Sequence, residues 1–309
     1  MQNKVVKQLH LMGTVIDITV VGNKAEEVVE KTVRMLEYYE KMFSANDDTS
    51  ELMKINFNAG KTDTMVSPEL YNLISLGKYH SIQDDSFLNI AIGPLIKEWK
   101  IGFEGALVPS KEVIESLLRK TNPEKIILSP NTHSIYLEDK QMEIDLGALA
   151  KGFIADKVVE YYKQQDITSA ILNLGGNVVV YGESHHPDGY FRVGIQHPTE
   201  PRSHCLVTIQ AKNESIVTSG IYERTLTVGK TIYHHIINPK TGYPIETDVA
   251  SLTIISKRSV DGEIWTTRLF GKNTKDIIST VNQLDAIECV VIDKTNKVFT
   301  SEMIKTKLM

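Results

Sequence analysis

Apolar and polar positions alternate over residues 14–21, TVIDITVV, and most of the apolar ones are β-branched. That period of two predicts a half-buried strand, with Gly13 marking a bend ahead of it. From Ala25 to Phe43 the period lengthens, and Val28, Val29, Val33, Leu36, Tyr39 and Met42 share one face of a predicted helix. A second helix is expected over 69–82, with Ser67 as its cap and Pro68 at the first helical position. A third follows Gly93-Pro94, and a fourth begins near Ser110. Residues 125–138, KIILSPNTHSIYLE, read as a hairpin turning at Pro130-Asn131. Ala150, Ile154, Val158 and Tyr162 then recur at helical spacing, on a helix expected to start near Leu146. Strands are expected at 169–173, 177–181, 190–196, 204–211 and 222–236. The C-terminal part reads as strand (250–256), helix (261–270), helix (274–283), strand (287–293) and a short strand near 297–300.

Helices and strands mix without regular βαβ alternation. The expected class is therefore α+β, with mixed or antiparallel sheets and packed helices in one compact unit. No repeat, low-complexity tract or long linker divides residues 1–309, and an inserted helical lobe would fall at about 66–122.

The chain is 41% hydrophobic and 24% charged, enough apolar material for a large core. A net charge of -5 argues against general nucleic-acid binding. The two cysteines, Cys205 and Cys289, are far apart and form no C-x-x-C motif. This excludes a disulfide framework or a Cys-rich zinc site, and both are expected as small core residues in a reducing compartment. Lys7, Gln8 and His10 interrupt the apolar positions of the first residues, so no leader or lipid anchor is expected. No run of about 18 apolar residues occurs, so no membrane span is expected either. The expected location is cytoplasmic.

Four segments carry candidate chemistry. In IDLGALAKGFIAD, residues 144–156, Gly147 and Gly152 flank a helix start that could face an anion, with Lys151 adding a cation. Asp145 would repel phosphate, so it either meets a ring N–H or caps the helix. In ILNLGGNVVVYG, residues 171–182, Gly175-Gly176 is a backbone cradle or a tight turn, and the turn is the better reading of that segment alone. In residues 218–244, Thr218-Ser219-Gly220 and residues 238–242 read as turns. His234 and His235 alternate across a strand there, so only one of them faces a given site. Adjacent histidine pairs do not have zinc-ligand spacing. In SVDGEIWTTRLFG, residues 259–271, Glu263, Thr266 and Thr267 share a helix face. Their hard oxygen donors suit Mg2+, although for this segment alone a solvated acidic helix start is the better reading.

Taken in order, these segments resemble the FAD:protein FMN transferase family, often called ApbE-like. The resemblance runs from Met12-Gly13-Thr14 to about Gly271. It includes Phe43-Ser44, Ser50-Glu51-Leu52, Asn56, and the stretch from Phe87 to Trp99 with Gly93-Pro94-Leu95. It continues through DLGALAKG, NLGG, TSG, HIINPKTG and the helix bearing Glu263. The resemblance implies an α+β fold with FAD in a cleft between sheet and helices. It implies a flavin site at Met12, Asn46, Phe87, Leu88, Asn89 and Ile236, with Asp145 and Lys151 also contacting FAD. It implies Mg2+ held by the Ala148 carbonyl with Glu263, Thr266 and Thr267, and His235 beside the reacting phosphate. The implied reaction moves the FMN half of FAD to a Ser or Thr hydroxyl of an acceptor flavoprotein, releasing AMP. Four positions depart from the family pattern. Glu263 stands where Asp is usual, which leaves Asp261 as an alternative metal carboxylate. Asn46 stands where an aromatic often packs on the flavin, and Asn89 and Asn177 stand where Asp is common. The alternatives are an FAD pyrophosphatase giving FMN and AMP, or a non-catalytic FAD-binding protein.

Overall fold

The strand expected at 14–21 is second in an eight-stranded sheet, seen in a computed structural model that describes residues 3–201 and 204–309. Along the chain, β1 (Asn3–Leu11) and β2 (Thr14–Gly22) form a hairpin, followed by α1 (Ala25–Phe43) and α2 (Glu51–Phe57). Then come β3 (Thr64–Met65), α3 (Pro68–Ser81), α4 (Gly93–Trp99) and α5 (Lys111–Leu118). The hairpin β4 (Ile126–Ser129) and β5 (Ser134–Leu137) leads to α6 (Ala150–Tyr162). Next are β6 (Ile167–Leu174), β7 (Asn177–Gly182), β8 (Phe191–Gln196), β9 (Cys205–Ala211), β10 (Glu214–Gly220), β11 (Thr225–Val228) and β12 (Thr231–His234). The chain closes with β13 (Val249–Ser256), α7 (Ser259–Leu269), α8 (Thr274–Val281), β14 (Glu288–Asp293) and β15 (Val298–Thr300).

The main sheet has the order β1-β2-β6-β7-β10-β13-β14-β15, with every neighbouring pair antiparallel. This is an α+β fold. Cross-strand register carries one face through Ile18, Leu172, Val179, Val217 and Ile254. Helices cover that face: Leu36 of α1, Ile154 and Val158 of α6 and Ile264 of α7 join the core with Ile18 and Leu172. Phe270 and the α8 residue Ile277 extend the helical layer over Leu252 and Ile254. The opposite face, at Ile216 and Ile255, is covered by the β8–β9 hairpin through Phe191, Ile195 and Ile209. Every residue of β13 is buried, as expected of a strand covered on both sides. No helix among the described residues is long and apolar enough to cross a membrane.

Several elements differ from the sequence reading. Strand β1 is largely exposed, so its mixed composition concealed it. The short helix α2, capped by the Ser50 hydroxyl, was also missed. Residues 214–220 form the buried strand β10, and Thr218-Ser219-Gly220 is its end rather than a turn. Small polar residues between two long strands resemble a turn in sequence. The single strand expected at 222–236 is instead the hairpin β11–β12, which turns at Gly229 with φ 60°. Cys289 is buried as expected, but Cys205 is exposed at the start of β9.

Two tight turns meet at one end of the sheet. Met12 and Gly13 both have positive φ, as do Gly175 and Gly176 between β6 and β7. A Cβ at Gly175 would lie 2.1 Å from the Thr14 hydroxyl oxygen. Replacing Gly175 by Ala therefore combines a left-handed backbone with overpacking. Urea unfolding of Gly175→Ala should show a loss of about 2–4 kcal/mol.

Candidate active site

Beside these turns lies a cavity of about 790 Å³ between the sheet end and the helices, within the range of small-molecule sites. Its wall is assembled from segments far apart in sequence. Met12 comes from the β1–β2 turn, Asn46 from the loop after α1, and Phe87, Leu88 and Asn89 from the loop before α4. Asp145, Ala148 and Lys151 come from the loop and first turn of α6, His235 and Ile236 from beyond β12, and Glu263, Thr266 and Thr267 from α7. The sequence-predicted residues thus share one cavity. Asp261 does not line it, and lies 3.9 Å from the Arg258 guanidinium instead.

Helix α6 begins at Ala150, four residues later than expected. Asp145 accepts the Gly147 N–H at 2.8 Å and Leu149 N–H bonds the Leu146 carbonyl, so residues 146–149 are a turn ahead of the helix. Asp145 is therefore a turn residue, not the α6 cap. Burial raises its carboxyl above the usual range, opposed by the Gly147 N–H and the charges of Arg224 and Lys151.

The seam between α6 and α7 holds the charged part of the wall. Arg258 gives α7 no side-chain cap. Asp156 of α6 supplies one, accepting the Ser259 N–H at 2.6 Å and the Val260 N–H at 3.0 Å. Burial pushes the Asp156 carboxyl up to about 6, against those two donors. One turn earlier, a Cβ on Gly152 would meet the Ser259 carbonyl oxygen at 2.6 Å and Val260 Cα at 2.7 Å. Only glycine allows this approach. It places Lys151 Nζ 3.2 Å from Glu263 Oε1, and Glu263 is only 4% exposed. The Asn177 amide donates to the same oxygen at 2.9 Å. The first turn of α7 is accordingly buried, which removes the solvated-start reading of Glu263.

His234 and His235 do face different ways. His234 is buried and bonds the Ile245 carbonyl at 2.9 Å, while His235 lines the cavity. His235 Nδ1 lies 3.3 Å from the Arg224 carbonyl. A carbonyl only accepts, so the neutral ring carries its proton on Nδ1 and its lone pair on Nε2. Burial, then the Arg224 charge, lowers the His235 pKa to about 4.

Sequence reasoning missed Arg224, which lines the cavity and lies 5.3 Å from the Phe103 ring centroid. It also missed Trp99, whose indole N–H bonds the Gly242 carbonyl at 2.8 Å and ties α4 to the loop after His235. No local pattern marks either contact, because each partner lies more than a hundred residues away. Among the described residues, no three His, Cys, Asp or Glu side chains cluster as a metal site.

Residues 12–291 match the model of the ApbE family. The FAD:protein FMN transferase of Klebsiella pneumoniae (strain 342) is 36% identical over 291 residues, covering 94% of this chain and 90% of the relative. The protein of the same name from Treponema pallidum (strain Nichols) is 30% identical over 307 residues, covering 94% and 85%. Among solved structures, the ApbE protein of Thermotoga maritima matches with a TM-score of 0.88 at 24% identity, over 99% of each chain. The flavin transferase ApbE from Vibrio cholerae matches with a TM-score of 0.85 at 23% identity, over 99% of this chain and 100% of its own. These two likenesses show the fold.

The cap across the seam has a measurable consequence. Asp156→Ala should lower stability by about 1–2 kcal/mol in urea unfolding. Asp156→Asn, which keeps one acceptor oxygen, should lose less.

Proposed function

Because the chain belongs to the ApbE family, we propose that it transfers the FMN half of FAD to a Ser or Thr hydroxyl of an acceptor flavoprotein. AMP leaves, and Mg2+ is required. The convergence of the candidate flavin, metal and base residues on one cavity carries this reading.

The donor set fits a hard divalent cation. Glu263 is a buried anion met by one ammonium and one amide N–H, and its helix neighbours Thr266 and Thr267 add hydroxyl oxygens to the same wall. Glu263, Thr266, Thr267 and the Ala148 carbonyl would hold Mg2+, which would stabilise charge on the pyrophosphate and the departing oxygen. Asp261, outside the cavity, is the weaker candidate.

The rest of the reaction falls to positioning and fixed charge. Met12, Asn46, Phe87, Leu88, Asn89 and Ile236 would form the flavin wall. Asp145 would meet a ring N–H. Lys151 would add positive potential at the diphosphate. The acceptor oxygen forms a bond to the FMN-side phosphorus as the bond from that phosphorus to the bridging oxygen breaks. AMP carries away that electron pair. The hydroxyl proton passes to His235 Nε2, directly or through water. With its pKa near 4, His235 is neutral and able to accept at pH 6–8.

Four outcomes follow from these roles. Incubation with FAD, Mg2+ and a candidate acceptor should add covalent FMN to the acceptor in its mass spectrum. Free FMN and AMP beside an unmodified acceptor would instead indicate the pyrophosphatase, and bound FAD without turnover the non-catalytic binder. His235→Ala should keep FAD affinity and slow transfer about 10²–10⁴-fold; unchanged transfer removes His235 from the mechanism. Glu263→Gln should raise the Mg2+ concentration needed for activity while Asp261→Asn should not, and the reverse pattern reassigns the metal carboxylate. The acidic limb of the transfer rate should fall near pH 4, where His235 takes up its proton, rather than near the ordinary histidine value of 6.5. A midpoint at 6.5 would exclude His235 as the titrating base.

A further inference from the structure

Asn177 opens β7 on the helix-facing side of the sheet, and only 1% of it is exposed. Its register partner on β10 is Val217, an apolar core residue, so a polar side chain here needs buried partners. It has them on both sides. Its Nδ2 donates to Glu263 Oε1 at 2.9 Å, and its Oδ1 accepts from the Ser259 hydroxyl at 2.8 Å. The Ser259 oxygen in turn accepts from the Ser215 hydroxyl at 2.9 Å. Ser215 and Ser259 are 1% and 0% exposed.

The direction of this chain is set by its end. A carboxylate only accepts, so the amide nitrogen must face Glu263 and the amide oxygen must face Ser259. The relay therefore runs from Ser215 on β10 through Ser259 and Asn177 to Glu263, and it ties the carboxylate to the sheet as well as to its own helix. Lys151 reaches the same oxygen but arrives on a long side chain that is 25% exposed. Asn177 is the shorter and more buried partner, and it adds no charge. The Glu263 rotamer is thus held from the sheet without a further charge.

We propose that Asn177 is a positioning residue that fixes the Glu263 carboxylate for divalent-cation binding. This rests on Glu263 being the metal carboxylate. Removing the amide frees a flexible side chain that must be ordered again each time a cation binds. The cation affinity should fall while the flavin wall is untouched.

The test is Mn2+ titrated into the FAD-loaded protein, with free Mn2+ counted by electron paramagnetic resonance, for the unaltered protein, Asn177→Ala, Glu263→Gln and the double variant. Asn177→Ala should raise the Mn2+ dissociation constant about tenfold with FAD affinity unchanged. In the Glu263→Gln background the same substitution should change it less than twofold, because Asn177 acts through Glu263. A purely structural role would lower the melting temperature without this coupling. Should Asn177→Ala not fold, Asn177→Ser serves in its place, with the same direction expected. An unchanged dissociation constant for Asn177→Ala, or an equal loss in both backgrounds, overturns the proposal. Stoichiometric Mn2+ binding that is also unaffected by Glu263→Gln would overturn the metal assignment beneath it, a separate outcome.

Discussion

A carboxylate held almost wholly out of water is the constraint around which the site is built. Leaving an ionised Glu263 buried and unmatched would cost several kcal/mol, so the fold must bring it charge and donors. Lys151 brings the charge from α6 and Asn177 brings a donor from β7. For Lys151 to reach, α6 and α7 must nearly touch, and Gly152 is where they do. For α7 to stay in place, its first N–H groups need acceptors, and Asp156 provides them from α6 rather than from the local sequence. One buried charge therefore accounts for the glycine, the lysine, the aspartate and the asparagine at this seam.

The same cavity wall holds an imidazole. His235 is kept neutral by burial and by the nearby Arg224 charge, and its Nδ1–H is committed to a backbone carbonyl. A low pKa makes it a weak base, so in the proposed reaction its contribution would depend on placement of the acceptor hydroxyl more than on basicity. Arg224 also packs beside Phe103, while the Trp99 bond to Gly242 braces the segment that follows His235. These contacts brace the segment that carries the imidazole.

Much of this was legible in the residues themselves. The long periodic elements, β2, α1, α3, β13, α7 and β14, lie close to where hydrophobic spacing put them. The helical spacing of Glu263, Thr266 and Thr267 and the alternation of His234 and His235 gave the right sides of their elements. What periodicity could not supply was partner identity. Strand β10 was concealed because ESIVTSG mixes small polar and apolar residues, and its burial comes from strands on both sides. The start of α6 shifted because Asp145 bonds within a turn instead of capping the helix. That Glu263 lines the cavity and Asp261 does not depends on the rotation of α7, whose first N–H groups bond Asp156 more than one hundred residues earlier. Asn177 drew notice only as a departure from the family pattern, and its link to Glu263 spans 86 positions.

The most direct measurement is anomalous diffraction from crystals grown with FAD and Mn2+. One manganese peak is expected at the Glu263 carboxylate, with the flavin diphosphate between the turn before α6 and the face of α7. Manganese at Asp261, or FAD bound away from the α6–α7 seam, would contradict it.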